Sequence, residues 1–411
     1  MALEFLIIGV TILIGYIALL SFEKTRISQV IILMGFGFLL GPVLGALDVS
    51  EQSIIISILP FISSLALIFL LFDGGIEFNL FSMARTIPKS ILFTFTVFTI
   101  TTFLVGSYAY FVLGLGFLYG ALLGAVVGGI SSAVVITMVE KTYLEKGTKS
   151  ILTIESTITD ALCIITAFII VEMIKAQVHL DIGAITSLFL ANFTIAIALA
   201  VAAAWIWINA SNRFEHLKNY SYIMMIGLVF ALFSITEMVK GNGGIAVFVF
   251  GIILGNAGRI GRFAKMKWAP AVSRTSRLFQ EEVTFFVRTF FFVYVGLLFS
   301  IQYFTMDVLI TSLILIILIG IARVIGQKII LGDITGQDAL ITITTMPRGL
   351  AAAILVAIIP VTAGIPILIP NFKELVFSVI LLSNAIATIG IFLFDKEKKK
   401  NNKTSEKKKN S

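Results

Sequence analysis

Long runs of apolar residues alternate with short polar segments over most of the chain. At about 1.5 Å of rise per residue, such runs are long enough to cross a hydrocarbon core of about 30 Å as α-helices. Ten-residue segments of alternating polarity do not occur in the sequence, which disfavours a barrel of strands. The pattern predicts about thirteen spans, at residues 3–22, 27–47, 53–83 with a break, 88–113, 117–139, 150–175, 183–211, 219–238, 243–257, 281–300, 304–328, 336–360 and 369–394.

The composition also indicates a membrane protein. Of the 411 residues, 58% are hydrophobic and 13% are charged, and the mean hydropathy is +1.06, outside the usual range of soluble domains. The first run has Glu4 near its start, with no basic segment or small-residue cleavage site, so we expect a retained helix. Cys163 is the only cysteine, which excludes an internal disulfide. We therefore predict an all-α polytopic membrane protein with one transmembrane domain over residues 1–395.

Basic residues set the predicted orientation. The net charge is +7, and lysine and arginine concentrate in alternate loops and in residues 396–411. The positive-inside rule then places the amino terminus outside the cell membrane and the carboxyl terminus in the cytoplasm. We expect residues 396–411 to be a disordered tail near anionic lipid and not a nucleic-acid-binding segment. The basic, amphipathic residues 259–280 are expected to lie along the inner membrane surface.

Glycines recur four positions apart in three of the predicted spans. In a bilayer, a face of small residues lets two helix backbones approach closely. The sequence therefore predicts a tight helix bundle, with close contacts at Gly37, Gly41 and Gly45, at Gly120, Gly124 and Gly128, and at Gly251 and Gly255.

Charged side chains inside the apolar runs are candidates for function. A charge near the middle of a membrane costs a few kcal/mol, so each one needs a partner, a water-filled cavity or a functional role. The candidates are Asp73, Glu77, Glu155, Asp160, Arg288, Arg323 and Arg348. For Glu77 and Arg288, a structural ion pair or a position near the membrane surface is the favoured interpretation.

The segment Glu155–Asp160 carries two acids with different expected roles. Glu155 and Asp160 are five positions apart, about 140° around a helix, so they cannot share a face. Ser156 and Asp160 are four apart and do share a face. A hydroxyl and a carboxylate on one face are hard oxygen ligands suited to a small cation. This face is therefore a candidate ion site.

Two predicted spans are interrupted near their centres. In the fifth, Gly128 and Gly129 precede two serines, and in the twelfth, Pro347, Arg348 and Gly349 fall inside an apolar run. Proline removes a backbone hydrogen bond and glycine weakens a helix, which leaves free carbonyls and helix ends at membrane depth. The breaks lie seven spans apart, as expected for two inverted six-helix repeats, and such paired breaks indicate the binding site of a transporter.

Five motifs in this order resemble the monovalent cation/proton antiporters, particularly prokaryotic sodium/proton exchangers. They are "FDGGIE" at Asp73, "ESTITDA" from Glu155, "FFFVYVGLLF" from Phe290, "ARVIGQ" from Ala322 and "MPRGLAAA" from Met346. The resemblance implies a homodimer of about thirteen spans per chain, with a dimerisation domain and a core domain that moves across the membrane. An ion would bind where the two unwound helices cross, and no cofactor is implied beyond the transported Na⁺ and H⁺.

The resemblance also assigns roles to individual residues. Asp160 matches the aspartate that binds the ion and the proton, and Ser156 matches a hydroxyl ligand one turn before it. Asp73 stands where the family usually has a glutamate, and matches a second acidic contributor, so that Na⁺ would be held by Asp160, Asp73 and Ser156. Glu155 and Arg348 match a pair that ties the sixth span to the unwound twelfth, with a structural role.

Two departures from the family pattern leave the cation open. The residue before the aspartate, commonly Asn or Asp, is Thr159. The unwound fifth span often carries Thr-Asp-Pro in the family, whereas this chain has Ile130, Ser131 and Ser132, closer to the Ser-Ser of potassium-efflux and related branches. Ile130 is expected to offer its carbonyl, and Ser131 either a ligand or a packing contact. Arg323 and Arg288 are possible core or gating charges. With one pivotal carboxylate, we predict electroneutral exchange of one Na⁺ or Li⁺ per H⁺ in pH homeostasis, with K⁺/H⁺ antiport as the alternative.

Two other functional classes fit the sequence less well. A cation channel would also use broken helices and free carbonyls. An intramembrane protease needs a base beside a nucleophile or two aspartates in their own motifs, whereas His179 and His216 fall in predicted loops. We therefore expect a secondary transporter and not an enzyme.

Overall fold

The computed structural model describes residues 2–25, 27–45, 58–78, 88–140, 144–175, 182–213, 221–263, 274–299, 301–332, 337–362 and 369–409. All regular structure in these residues is helical. The α-helices are α1 (Ala2–Thr25), α2 (Gln29–Phe38), α3 (Leu59–Glu77), α4 (Pro88–Phe111), α5 (Phe117–Val126), α6 (Ser132–Glu140), α7 (Lys146–Lys175), α8 (Ile182–Arg213), α9 (Ser221–Met238), α10 (Gly243–Phe263), α11 (Arg274–Leu297), α12 (Met306–Gly326), α13 (Gln337–Thr344), α14 (Leu350–Thr362) and α15 (Phe372–Lys409). Short π-helical turns at Leu39–Val43 and Gln327–Leu331 extend α2 and α12.

By length and composition, six helices in the described part of the chain can cross a membrane. They are Lys89–Phe111, Gly147–Lys175, Ala191–Ala210, Gly243–Arg262, Met306–Leu331 and Phe372–Leu393, and shorter apolar helices accompany them. Each of the predicted spans overlaps one helix or two consecutive helices. The prediction of an all-α membrane protein is confirmed, whereas the count of thirteen spans and the inverted repeats stay predictions.

Polar caps explain where several helices begin. The first N–H groups of a helix have no partner within the helix, and a side-chain oxygen before it can accept from one of them. Ser28 accepts from Val30 before α2, and Asn242 accepts from the N–H of Ile245 (2.9 Å) at the start of α10. These short polar residues therefore fix the helix starts between long apolar segments.

The two predicted helix breaks are present. The fifth predicted span is divided into α5, which ends at Val126, and α6, which begins at Ser132. The twelfth is divided into α13, which ends at Thr344, and α14, which begins at Leu350. Glycine in the first break and proline in the second weaken helical hydrogen bonding, so the backbone in both places is free to bond elsewhere.

Two basic segments expected outside the spans contain helical residues, while the disorder of residues 396–411 and the surface position of residues 259–280 stay predictions. The tail predicted to be disordered from residue 396 is helical through Lys409, as the end of α15. Lysine and glutamate are good helix formers, and extending an existing helix avoids the cost of nucleation. In the segment 259–280, α10 continues to Phe263 and α11 begins at Arg274, so both ends belong to neighbouring helices; residues 264–273 lie outside the described residues.

The chain is divided into two compact units that alternate along the sequence. Unit 1 comprises Met1–Leu59, Pro88–Ile170 and Thr289–Ser411, and unit 2 comprises Pro60–Ile87 and Val171–Arg288. In unit 1, α4 packs on α5 and α12, and α12 packs on α15. Both helix breaks and Asp160 therefore belong to unit 1.

The glycine faces lie at close helix contacts, as predicted. At most of these glycines an added methyl group would overlap the backbone of a neighbouring helix, whereas Gly41 leaves slightly more room beside Leu297 and Gly128 faces the ring of Phe98. The pairs are Gly37 with Val293, Gly41 with Leu297, Gly120 with Gly106, Gly124 with Thr102, Gly251 with Phe72 and Gly255 with Ile76. Gly45 differs, because its φ is +57° and a side chain there would meet no described atom within 4 Å. It ends a helical segment and does not take part in a helix contact.

A matched pair of substitutions on α2 tests the packing role. Gly37→Ala places a methyl group against the carbonyl of Val293, whereas Gly35→Ala meets no described atom within 4 Å. We expect Gly37→Ala to lower the free energy of unfolding by about 1–3 kcal/mol, as overpacked sites do, and Gly35→Ala to leave it nearly unchanged. Thermal unfolding in detergent measures both. Equal Tm values for the two variants would show that this contact does not stabilise the bundle.

Candidate functional site

The carboxylate of Asp160 binds the beginning of α6, directly after the first break. The backbone N–H of Ser132 donates to Oδ2 of Asp160 (3.0 Å), and the hydroxyl of Ser132 donates to the same oxygen (2.7 Å). The amino end of a helix carries partial positive charge, which favours a carboxylate there. Asp160 as a residue is partly exposed, and access of an ion or a proton to its carboxylate stays a prediction.

Thr159, the preceding residue on α7, binds the backbone of the same break through its side chain. Its hydroxyl oxygen accepts from the N–H of Ile130 (3.1 Å) and donates to the carbonyl of Glu155 (2.9 Å). The carbonyl oxygen of Ile130 lies 3.4 Å from that hydroxyl. Two consecutive residues of α7 therefore bind the break at Ile130 and at Ser132.

The two helix breaks contact each other. The N–H of Ser131 donates to the carbonyl of Pro347 (2.8 Å), and Nη1 of Arg348 donates to the carbonyl of Gly129. Gly349 packs against the side chain of Ser131, which is 3% exposed. The structure thus brings Ile130, Ser131, Thr159, Asp160 and Arg348 together, as the sequence predicted for the unwound segments.

The predicted ion pair between Glu155 and Arg348 is wrong. Glu155 pairs with Arg323 of α12 instead, through two contacts of 2.6 and 3.1 Å. Arg323 also donates twice to the carbonyl of Thr342, at 2.8 and 2.6 Å. A planar guanidinium matches a carboxylate with two parallel hydrogen bonds, and Arg323 faces Glu155 from the adjacent helix.

Arg348 has a different role because the first break frees a carbonyl for it. Its side chain is 1% exposed, and Nη1 binds the carbonyl of Gly129. Its Nε and Nη2 atoms have no hydrogen-bond partner in the part of the chain that the structure describes. Arg348 therefore connects the two breaks, whereas Arg323 neutralises Glu155.

Ser156, the second predicted ligand of unit 1, lies one turn before Asp160 and is fully buried. Its hydroxyl donates to the carbonyl of Thr153 (3.0 Å). The lone pairs of the hydroxyl oxygen can still bind a cation. Its role as a ligand stays a prediction.

Asp73 and Arg288 belong to unit 2. Asp73 lies on α3 and Arg288 on α11, and both residues are partly buried. The binding of Na⁺ by Asp73 together with Asp160 stays a prediction, as does a gating role for Arg288. His179 and His216 lie outside the described residues.

A cation at Asp160 would need ligands other than acids. Among the described residues, no group of three or more His, Cys, Asp or Glu side chains could hold a metal ion. Hydroxyl oxygens, backbone carbonyls and water are the remaining hard ligands. The first two kinds are present beside the break between α5 and α6, as the hydroxyls of Ser132, at the start of α6, and Thr159, on α7, and as the carbonyl of Ile130.

Sequence reasoning missed the contact between Ser132 and Asp160. A serine at the start of a helix that follows a glycine pair is a recognisable helix-start signal, so the role of Ser132 could have been found. The partner of Glu155 had no such signal, because Arg323 lies 168 positions away.

Comparisons with known proteins concern the family and the fold of the chain. A family model described as "Sodium/hydrogen exchanger, transmembrane" matches residues 9–395. The K⁺/H⁺ antiporter NhaP2 of Shewanella sp. (strain ANA-3) is 27% identical over 222 residues, which are 53% of this chain and 38% of that protein. The K⁺/H⁺ antiporter NhaP of Alkalimonas amylolytica is 25% identical over 260 residues, 62% of this chain and 44% of that protein. The chain thus spans about two fifths of these relatives' length.

A solved structure shows the same fold. The sodium proton antiporter MjNhaP1 from Methanocaldococcus jannaschii, solved at pH 8, superimposes with a TM-score of 0.72 over 96% of this chain and 97% of that one, at 19% identity. The likeness concerns the fold, and the match to the family model covers nearly all of the chain. The chain therefore belongs to the sodium/hydrogen exchanger family.

Proposed function

We propose that the chain exchanges Na⁺ or Li⁺ for H⁺ across the membrane, with the cation and the proton competing for Asp160. The observation that carries the proposal is the position of this carboxylate, which is partly exposed and bound to the start of α6 between the two breaks. Helix ends and free carbonyls at such paired breaks are the usual setting of a transporter's ion site.

Competition follows from the energetics of the carboxylate. Ser132 supplies two hydrogen bonds to one oxygen, and these lessen the charge without neutralising it. A desolvated carboxylate favours binding either a proton or a cation, since each removes the cost of the buried charge. One carboxylate cannot bind both at once, so each occupant displaces the other.

The same argument supports obligatory exchange. Moving an empty, charged site through the membrane is costly, whereas a site loaded with Na⁺ or H⁺ is nearly neutral and can move. In this proposal a core domain that carries Asp160 moves against a dimerisation domain in a homodimer, in an elevator-type alternation at the cell membrane. The amino terminus would lie outside and the carboxyl terminus in the cytoplasm, consistent with a role in pH homeostasis.

The proposed stoichiometry is one cation per proton. Glu155 is neutralised by Arg323, and Thr159 holds the backbone of Ile130 and carries no charge. Asp160, on α7 beside the first break, is then the acid that is proposed to change its occupant. The observation that supports the alternative, K⁺/H⁺ antiport, is that the relatives from Shewanella and Alkalimonas are named K⁺/H⁺ antiporters.

Reconstitution into liposomes with an internal pH dye tests the function. We expect an inward Na⁺ or Li⁺ gradient to raise the internal pH, with a smaller response to K⁺. An imposed membrane potential should leave the rate unchanged if the exchange is electroneutral. Cation entry without proton movement would indicate a channel, and a response to K⁺ alone would favour the alternative antiport.

A further inference from the structure

The backbone of the second break is held from α15 by two adjacent residues, Ser383 and Asn384. The N–H of Arg348 donates to the hydroxyl of Ser383 (2.9 Å), and Nδ2 of Asn384 donates to the carbonyl of Arg348 (2.6 Å). Both side chains are fully buried at 0% exposure. The backbone N–H and the carbonyl of Arg348, which in a continuous helix would bond within that helix, thus form hydrogen bonds with side chains of α15.

The same arrangement occurs at the first break. There Thr159 binds the N–H of Ile130 and Asp160 binds the N–H of Ser132, from adjacent positions on α7. Each break is therefore bound by a threonine or serine that is followed directly by an aspartate or asparagine: Thr159 and Asp160 at the first break, and Ser383 and Asn384 at the second. The two pairs of side chains differ in charge. Asp160 carries a carboxylate, which can bind a proton or a cation, whereas Asn384 carries a neutral amide.

The amide of Asn384 is oriented by carbonyl groups. Nδ2 donates to the carbonyl of Ile380 (2.8 Å) as well as to that of Arg348. A carboxylate at this position would place negative charge against two carbonyl oxygens. The position therefore favours an amide, in contrast to Asp160, which faces an N–H and a hydroxyl.

We propose that Ser383 and Asn384 are positioning residues that set the geometry of the ion site through the backbone of Arg348. The inference rests on the proposed function of Asp160. The connection is a continuous set of contacts: Arg348 binds the carbonyl of Gly129, and the carbonyl of Pro347 accepts from Ser131. Ser131 adjoins Ser132, whose N–H and hydroxyl bind Asp160. Both residues bind the backbone of Arg348, so their proposed effect on cation binding is exerted through this set of contacts.

The test compares Ser383→Ala and Asn384→Ala with Ser378→Ala. Ser378 is a matched control, since it is also a buried serine of α15 but donates only to the carbonyl of Glu374 in its own helix. In proteoliposomes, we expect the first two variants to raise the Na⁺ concentration for half-maximal exchange about tenfold, as expected for an unsatisfied buried backbone group. Ser378→Ala should keep the native value, and Ser383→Thr, which retains the hydroxyl, should restore most of it.

Cys163 provides a readout that does not depend on transport. It is the only cysteine of the chain, it is buried, and it packs against Gly129 in the first break. Loosening of the contact between the breaks should raise the rate of its alkylation by a membrane-permeable maleimide about tenfold in Ser383→Ala and Asn384→Ala, but not in Ser378→Ala.

The outcomes separate this inference from the proposed function. Faster labelling together with a raised half-saturating Na⁺ concentration supports the positioning role. A native labelling rate together with a native half-saturating Na⁺ concentration in both variants would overturn it. An equal rise in the half-saturating Na⁺ concentration in Ser378→Ala would also overturn it. Failure of Ser383→Ala and Asn384→Ala to fold would overturn it as well, because it would indicate a purely structural role. Exchange that survives Asp160→Asn would instead remove the proposed function, whatever the labelling of Cys163 shows.

Discussion

Asp160→Asn is expected to abolish cation/proton exchange while leaving the fold intact. Asparagine has nearly the same shape, and its carbonyl oxygen can still accept the two hydrogen bonds from Ser132. The asparagine amide does not bind a proton near neutral pH, and it supplies no negative charge to a cation. Dye-reported pH changes after a Na⁺ pulse should fall to the level of empty liposomes, with an unchanged elution volume in size-exclusion chromatography.

Asp338→Asn is the matched control for this substitution. Asp338, on α13, also accepts from a hydroxyl and a backbone N–H, those of Thr148 (2.8 Å) and Glu145 (3.3 Å). It therefore has the same kind of contact as Asp160 but lies outside the helix breaks. We expect Asp338→Asn to retain exchange. Native rates in Asp160→Asn would contradict the central assignment, and equal losses in both variants would point to capping of helix starts as their common role.

Sequence reasoning located the site because its signals are local. Gly128 and Gly129 weaken one helix, and Pro347 removes a hydrogen bond from another, in apolar surroundings where the breaks stand out. Asp160 was identified because a charge within an apolar run is costly wherever the chain folds. Glu155 and Asp160, which lie about 140° apart around a helix, contact different helices, α12 and α6 respectively; their separate roles stay a prediction.

Pairings between distant residues could not be predicted in the same way. Either Arg323 or Arg348 could have neutralised Glu155, and only the packing of α7 against α12 decides between them. Ser383 and Asn384 gave no signal, because small polar residues are frequent in membrane helices and their partners lie on other helices. The tail after residue 396 combines high charge with the helix propensity of lysine and glutamate, so its sequence alone does not decide between a disordered segment and an extension of α15.

Glu155→Gln is expected to lower the stability of the protein more than any other single change considered. Arg323 is fully buried. Glutamine can still accept a hydrogen bond but carries no charge, so the guanidinium loses its counter-charge and keeps uncharged partners such as the carbonyl of Thr342 and the ring of Phe93. Breaking one side of a buried ion pair costs about 3–5 kcal/mol, because an uncompensated charge remains. Thermal unfolding in detergent should show a large fall in Tm. Glu172→Gln, which breaks the exposed pair with Lys175 (2.9 Å), should cost about 0–1 kcal/mol.

The double variant Glu155→Gln with Arg323→Met decides whether the penalty comes from the stranded charge. Replacing both partners removes the buried charge, so much of the stability lost in Glu155→Gln should return. Transport need not return with it, because Arg323 also binds the carbonyl of Thr342 on α13, the helix that leads into the second break. Recovery of Tm without recovery of exchange would separate the two roles of Arg323, stabilising α7 and orienting the break. A double variant as unstable as Glu155→Gln would show instead that the hydrogen bonds, and not the charge, stabilise this part of unit 1.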